Sequence, residues 1–124
     1  MGTARADAAD SPAAVTVGPM VVAKAGDAVT TIVGLVFVPG LVEANPAVRL
    51  VIGHVGVLLG VVLGTVLSVA VVVAVTETGS AAVRRLGEDD WAPPLVRVVG
   101  YYPPAVVFGA AAANNAALIA RVAV

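Results

Sequence analysis

Apolar residues fill three long stretches of the chain, and polar residues gather between them. The clearest stretch covers residues 50–75 and contains no Asp, Glu, Lys or Arg. As an α-helix it would be ~39 Å long, more than the ~30 Å hydrocarbon core of a bilayer. Asn45 and Pro46 precede it, and they supply an N-cap acceptor and a proline suited to the first turn. The pattern therefore predicts a transmembrane helix over about residues 47–75.

Two further stretches predict spans on either side of this one. The first covers about residues 19–42. Its charge-free part, residues 28–42, is too short to cross a bilayer, so the turn that carries Lys24 and Asp27 must belong to the span. The third covers about residues 103–124. The predicted fold is therefore all-α, a single integral membrane domain built as a bundle of three transmembrane helices.

The segments outside these spans are more polar. Residues 1–14 form a predicted polar tail, and residues 76–94 form a predicted aqueous loop rich in charges. Residues 95–102 lie between two proline pairs and contain two tyrosines, which suits the membrane interface. A continuous, kinked helix from Pro94 is the alternative for this last segment.

Composition supports a membrane location and excludes several functions. Of the 124 residues, 60% are apolar and only 12% are charged, too few charges to cover a soluble domain. A net charge of −1 gives no attraction to nucleic acid. One histidine and no cysteine leave no metal-ligand set, and no cofactor-binding motif is present, so neither a metal nor a cofactor is predicted.

Lysine and arginine positions predict the orientation. The tail and the long loop would carry four arginines on one side, against two on the other, which places the N-terminus in the cytoplasm of a multi-pass cell-membrane protein. The four are Arg5, Arg84, Arg85 and Arg97, and the two are Arg49 and Arg121.

Several polar residues fall at similar depths when each helix is counted at 1.5 Å per residue. They form a candidate polar layer within the membrane: Lys24, Asp27, Thr31, His54, Asn114 and Asn115. An ionisable residue within a span is a candidate functional residue. Two plainer readings stand beside this one. Lys24 could extend to the interface with Asp27 as its structural partner, and the whole layer could be polar contacts that hold the helices together.

Glycines recur on one stripe of the predicted second helix, which favours close packing of helices within the chain or between copies. The stripe comprises Gly53, Gly56, Gly60 and Gly64. It predicts a homo-oligomer or a complex with another membrane protein, besides contact with the lipid bilayer.

Two motifs carry a family resemblance. Asp27-x-x-x-Thr31 in the first helix and Glu43-x-Asn45-Pro46 in the following turn resemble a family of small archaeal and bacterial integral membrane proteins of unknown function. The resemblance implies a membrane location and a bundle of three or four helices. It implies no activity.

Three functional readings follow. The first is a non-enzymatic structural or accessory membrane subunit, and the alternative is a small oligomeric transporter or channel subunit. The third is an intramembrane enzyme that uses Asp27 or His54 as acid or base. Glu43 would lie ~24 Å from Asp27 along a continuous helix, so these two carboxylates are not expected to pair in one copy.

Overall fold

The computed structural model describes residues 12–87 and 89–124, and over these residues the chain is all-helical. The helices are α1 (Pro12–Phe37), α2 (Pro46–Val55), α3 (Val57–Leu86) and α4 (Ala92–Ala123). Three helical segments are long and apolar enough to cross a membrane: Val17–Phe37, Val57–Leu86 and Ala92–Ala123. The all-helical fold and the three candidate spans are thus confirmed, although their bounds differ from those predicted. Most of the predicted polar tail, with Arg5, lies outside the described residues.

The first span ends at Phe37, five residues earlier than predicted. Pro39 disfavours the helical conformation in the residue before it, Val38. Gly40 then takes a φ of +80°, which favours glycine, and the chain turns back toward the bundle.

The second predicted span is not one helix. Gly56 interrupts it with φ +88° and ψ 168°, so that α2 folds back along the first part of α3. A Cβ added at Gly60 would lie 2.9 Å from the Cα of Ile52, and one added at Gly64 would lie 3.3 Å from a methyl of Val48. These pairs show that α2 and α3 are antiparallel and closely packed, and α3 alone forms the long span.

The predicted aqueous loop is largely helical. α3 continues to Leu86, and only residues 87–91 connect it to α4. Ser80 lies within the segment that was expected to be solvated, yet it is 1% exposed and donates to the Pro93 carbonyl at 3.3 Å. The helix continues through this polar segment because its hydroxyl and carboxylate groups find partners on α4.

The third span begins at Ala92 rather than at residue 103, so the continuous helix is the alternative that the structure adopts. Pro103 and Pro104 lie inside α4 and cannot donate to the carbonyls one turn earlier. Such prolines are tolerated in membrane helices where neighbouring groups pack against the weakened turn. Here Thr76 of α3 packs directly on Gly100, where any Cβ would overlap it.

α4 pairs with both other long helices, in opposite senses. α1 and α4 are parallel, because residues later in α1 contact residues later in α4. Gly26 contacts Ala112, and Gly34 contacts Ile119. Contacts with α3 run in opposite directions, so those helices are antiparallel: Ser80 meets Pro93, and Thr76 meets Gly100. The result is a three-helix bundle, up, down and up, with α2 against one end of α3.

The outer faces of the bundle are apolar. Among the described apolar side chains only Met20, Val61, Pro93 and Tyr101 are buried, while many valines and leucines are exposed. A surface of this kind suits contact with lipid tails, because a soluble protein rarely exposes such large apolar patches.

Candidate functional site

Five polar side chains meet where α1 packs on α4. This α1–α4 polar cluster consists of Lys24, Asp27, Thr30, Thr31 and Asn115. Residues spaced by three and then four share one face of a helix, and the α1 members 24, 27 and 31 follow that spacing. Positions 108, 111 and 115 of α4 repeat it, so two parallel helices present matching faces to each other.

Asp27 is the centre of the cluster. Its Oδ2 accepts from the Lys24 ammonium at 2.8 Å, and both side chains are 15% exposed. Its Oδ1 accepts a longer bond of 3.4 Å from the Asn115 amide. The ion pair offsets part of the cost of placing two charges within an apolar bundle.

Asn115 connects the helices through the hydroxyls of α1. Its amide nitrogen lies 3.1 Å from Thr31 Oγ1 and 3.4 Å from Thr30 Oγ1. Thr30 in turn donates to the Gly26 carbonyl at 2.9 Å, one turn back on its own helix. The small residues Gly26 and Ala112 bring the helices close enough for these short side chains to touch.

The cluster forms part of the wall of a cavity of about 440 Å³. Lys24, Asp27 and Thr31 line it from α1, and Phe108, Asn114 and Asn115 line it from α4. The opposite wall comes from the turn before α2, from Val48 of α2 and from one short stretch of α3. The turn and α3 residues are Leu41, Val42, Glu43, Ala44, Asn45, Val61, Gly64 and Thr65. The cavity wall therefore combines polar groups from α1, α4 and the turn before α2 with apolar side chains such as Leu35, Leu41 and Val61.

The Glu43-x-Asn45-Pro46 motif shapes that opposite wall. The Glu43 carboxylate accepts from the Asn45 backbone N–H at 2.9 Å, and the Asn45 side chain accepts from the N–H of Ala47 at 3.0 Å. Arg49 closes the turn by donating to the Glu43 carbonyl at 2.9 Å. The motif thus caps α2 and stabilises the turn that lines the cavity.

Glu43 lies on the same cavity as Asp27, which differs from the expectation of two remote carboxylates. That expectation assumed one straight helix from Asp27 to Glu43, whereas α1 ends at Phe37 and the chain folds back. The fold-back brings Glu43 to the wall opposite α1.

His54 does not join the α1–α4 polar cluster and does not line its cavity. It is exposed on α2, and its Nδ1 lies 2.8 Å from the Leu50 carbonyl of its own helix. The break at Gly56 separates α2 from the path that a continuous helix would follow. Asn114 lines the cavity but is exposed, unlike its neighbour Asn115.

The glycine stripe is likewise divided by the break. Gly60 and Gly64 pack against α2, whereas Gly53 has no neighbour within 4 Å of an added Cβ. Gly56 is the break itself. Of the four glycines in the predicted stripe, only Gly60 and Gly64 therefore form one packing surface, and α2 packs against it.

A second polar cluster was missed by the sequence analysis. This α3–α4 polar cluster consists of Glu77, Arg97 and Tyr101. The Arg97 guanidinium donates to both Glu77 oxygens, at 2.9–3.2 Å, and the Tyr101 hydroxyl donates to the same carboxylate at 2.7 Å. Arg97 and Tyr101 are spaced by four, which is a helical signal, but both fell in a segment predicted to precede the third helix.

Phe108 was also missed. Its ring centroid lies 4.6 Å from the Lys24 ammonium nitrogen, within the range of a cation–π interaction. The signal that could have found it is its seven-residue spacing from Asn115, which places both on one face of α4.

These features define an all-helical protein with three candidate membrane spans and a polar cavity between them. The chain belongs to the family named Domain of unknown function (DUF5658), whose model matches residues 20–114. No curated protein and no solved structure shows significant similarity to it. The family match covers α2 and α3 entirely and most of α1 and α4.

Proposed function

We propose that the chain is a multi-pass membrane protein that binds a small polar solute in its cavity, as a subunit of a transporter or channel. The observation that carries the proposal is that the α1–α4 polar cluster lines a cavity of about 440 Å³. Small-molecule sites commonly enclose roughly 300–1,000 Å³. An ionisable pair within a membrane span is costly, and such pairs commonly mark substrate or ion pathways.

The cavity extends over only part of the bundle. Along α1 it runs from Lys24 to Leu35, ~17 Å, and along α4 from Phe108 to Leu118, ~15 Å. These lengths are about half of a ~30 Å hydrocarbon core. Passage across the bilayer would then need a conformational change or further subunits, and we propose that the chain works as a homo-oligomer or with another membrane protein.

A structural or accessory subunit is the second candidate. Among the described residues, no buried side-chain nitrogen or oxygen lacks a hydrogen-bond partner. A fully satisfied polar cluster can serve as a helix contact alone. Intramembrane acid–base catalysis has less support, because Asp27 is paired with Lys24 and His54 lies away from the cavity.

Solute flux separates the two candidates. The purified chain would be reconstituted in liposomes, and light scattering would follow shrinkage and reswelling after dilution into small neutral, anionic or cationic solutes. We expect at least one solute class to enter faster than in protein-free liposomes, and Asn115→Leu to reduce the effect. Val107→Leu, on the exposed face next to the cavity residue Phe108, is the matched control.

Equal rates with and without protein, for every solute class and for a stably folded chain, would contradict a solute pathway. That result would favour the structural or accessory reading.

We further propose that the chain resides in a prokaryotic cell membrane with its N-terminus in the cytoplasm. The α3–α4 connection, with Arg84 and Arg85 before it, would then face the cytoplasm as well. The chain has no native cysteine, so Asp90→Cys provides a single exposed thiol at this connection. Labelling of that thiol from outside intact cells by an impermeant reagent would contradict the proposed orientation.

A further inference from the structure

The Lys24 ammonium occupies a specific position on the cavity wall. It lies 2.8 Å from the Asp27 carboxylate and 4.6 Å from the centroid of the Phe108 ring, and all three residues line the cavity. A carboxylate together with an aromatic face is the combination that proteins use to hold ammonium groups. The Lys24 ammonium is therefore held between a carboxylate and an aromatic face, as an amine ligand would be.

The charge of the cavity also favours a cation. The charged residues on its wall are one ammonium and two carboxylates, those of Lys24, Asp27 and Glu43, so its net formal charge is −1. The Asp27 carboxylate, 15% exposed where α1 packs on α4, is less screened than a carboxylate in water and attracts a positive ligand more strongly.

The other walls limit the kind of cation. The cavity volume of about 440 Å³ is far larger than a bare ion, and apolar side chains such as Leu35, Leu41 and Val61 cover much of its surface. Within the described part of the chain, no group of three His, Cys, Asp or Glu residues could hold a metal ion. A ligand with one positive charge and a short hydrocarbon part fits these walls.

We propose that the cavity binds a small monovalent organic cation, a protonated amine with a short apolar chain, and that Lys24 is its built-in competitor. The ligand ammonium takes the place between Asp27 and Phe108, and the displaced Lys24 side chain moves toward Glu43 or the interface. Its four-carbon stem permits such a movement. This proposal rests on the proposed solute-binding function and names its ligand class.

Competition between Lys24 and the ligand predicts that removing the lysine increases the affinity for an amine. Lys24→Met removes the resident ammonium and leaves Asp27 unpaired, so the variant should bind an amine more tightly than the wild type does. We expect a gain of about tenfold or more, which is the effect of one ordinary charged hydrogen bond. Asp27→Asn should lose affinity to the same degree, and Phe108→Leu should lose about fivefold through the missing cation–π contact.

The experiment uses the full chain in detergent micelles, with n-butylammonium chloride as the probe. Sodium butyrate and n-butanol, of similar size but negative or neutral, are the comparison ligands. Affinity is measured by calorimetry, and the melting temperature is recorded with and without each compound. We expect butylammonium alone to bind, and we expect it to raise the melting temperature of Lys24→Met more than that of the wild type. Val107→Leu should match the wild type.

Each contrary outcome has a distinct meaning. Tighter binding of butyrate or butanol than of butylammonium, with sensitivity to Asn115→Leu, would overturn the cation class while leaving a solute site in place. No binding of any of the three by the wild type would overturn the amine proposal, and the flux measurement would then decide the solute-binding function by itself. If Lys24→Met does not fold, the ranking of the three compounds on the wild type still tests the ligand class.

Discussion

The two polar clusters lie ~27 Å apart along α4, from Arg97 to Asn115, and they differ in how completely their groups are paired. In the α3–α4 polar cluster one carboxylate accepts from a guanidinium fork and a buried phenol, with distances of 2.7–3.2 Å. In the α1–α4 polar cluster the Asp27 carboxylate has one short partner and one bond of 3.4 Å, and it faces a cavity.

The difference in pairing indicates that the charged groups of the two clusters have different roles in the bundle. Arg97 is 16% exposed and Tyr101 is 1% exposed, and neither lies on the cavity wall, so their contacts serve to hold α3 against α4. Lys24 and Asp27 keep one side open to a space large enough for a small molecule.

The largest loss of stability should come from the α3–α4 polar cluster. Arg97→Met leaves the Glu77 carboxylate with Tyr101 as its remaining partner. Because Glu77 is 35% exposed, solvent screening lowers the cost below that of a fully buried pair, to about 2 kcal/mol. Unfolding in detergent micelles would measure it. Adding Glu77→Leu should recover most of the loss, because the uncompensated charge is then gone. A loss below about 0.5 kcal/mol for Arg97→Met would show that this cluster does not hold the helices together.

A smaller loss is expected in the α1–α4 polar cluster. Asp27→Asn strands Lys24, but that side chain is long and borders a cavity, so its ammonium can turn into the cavity. We expect about 1–2 kcal/mol, with recovery in the double variant Lys24→Met, Asp27→Leu. The same unfolding measurement applies. If Asp27→Asn costs as much as Arg97→Met, the proposed contrast between a structural and an open cluster is wrong.

The smallest of the three effects concerns the cavity wall supported by α2. Gly60→Ala places a Cβ against the backbone of Ile52 and should push α2 away from α3, at a cost of about 1 kcal/mol. Because α2 carries the cavity residue Val48, solute binding should fall as well. Gly53→Ala is the matched control, since it meets open space and should be neutral or slightly stabilising. Equal stability and equal solute binding in both variants would mean that α2 does not support the cavity.

Much of the fold could be predicted from local signals. Long apolar stretches require helices in a bilayer, because every backbone polar group must be satisfied within the segment. Asn45 and Pro46 marked the start of a helix, and α2 begins at Pro46. The bounds near Thr76 and Ala92 were wrong, because a polar residue in the sequence does not reveal that a partner on another helix will bury it.

Sequence alone thus determined the helical class, the number of long apolar helices and the spacing that lets Lys24 reach Asp27. These depend on hydropathy and on the 3.6-residue period, which act within a few neighbouring residues. Tertiary structure alone decided that Asn115 contacts α1, that Glu77 meets Arg97, and that the chain folds back at Gly56. Those outcomes depend on the register and rotation of packed helices. Close contacts such as Gly26 with Ala112 and Gly100 with Thr76 join residues that are far apart in the sequence, so no local pattern encodes them.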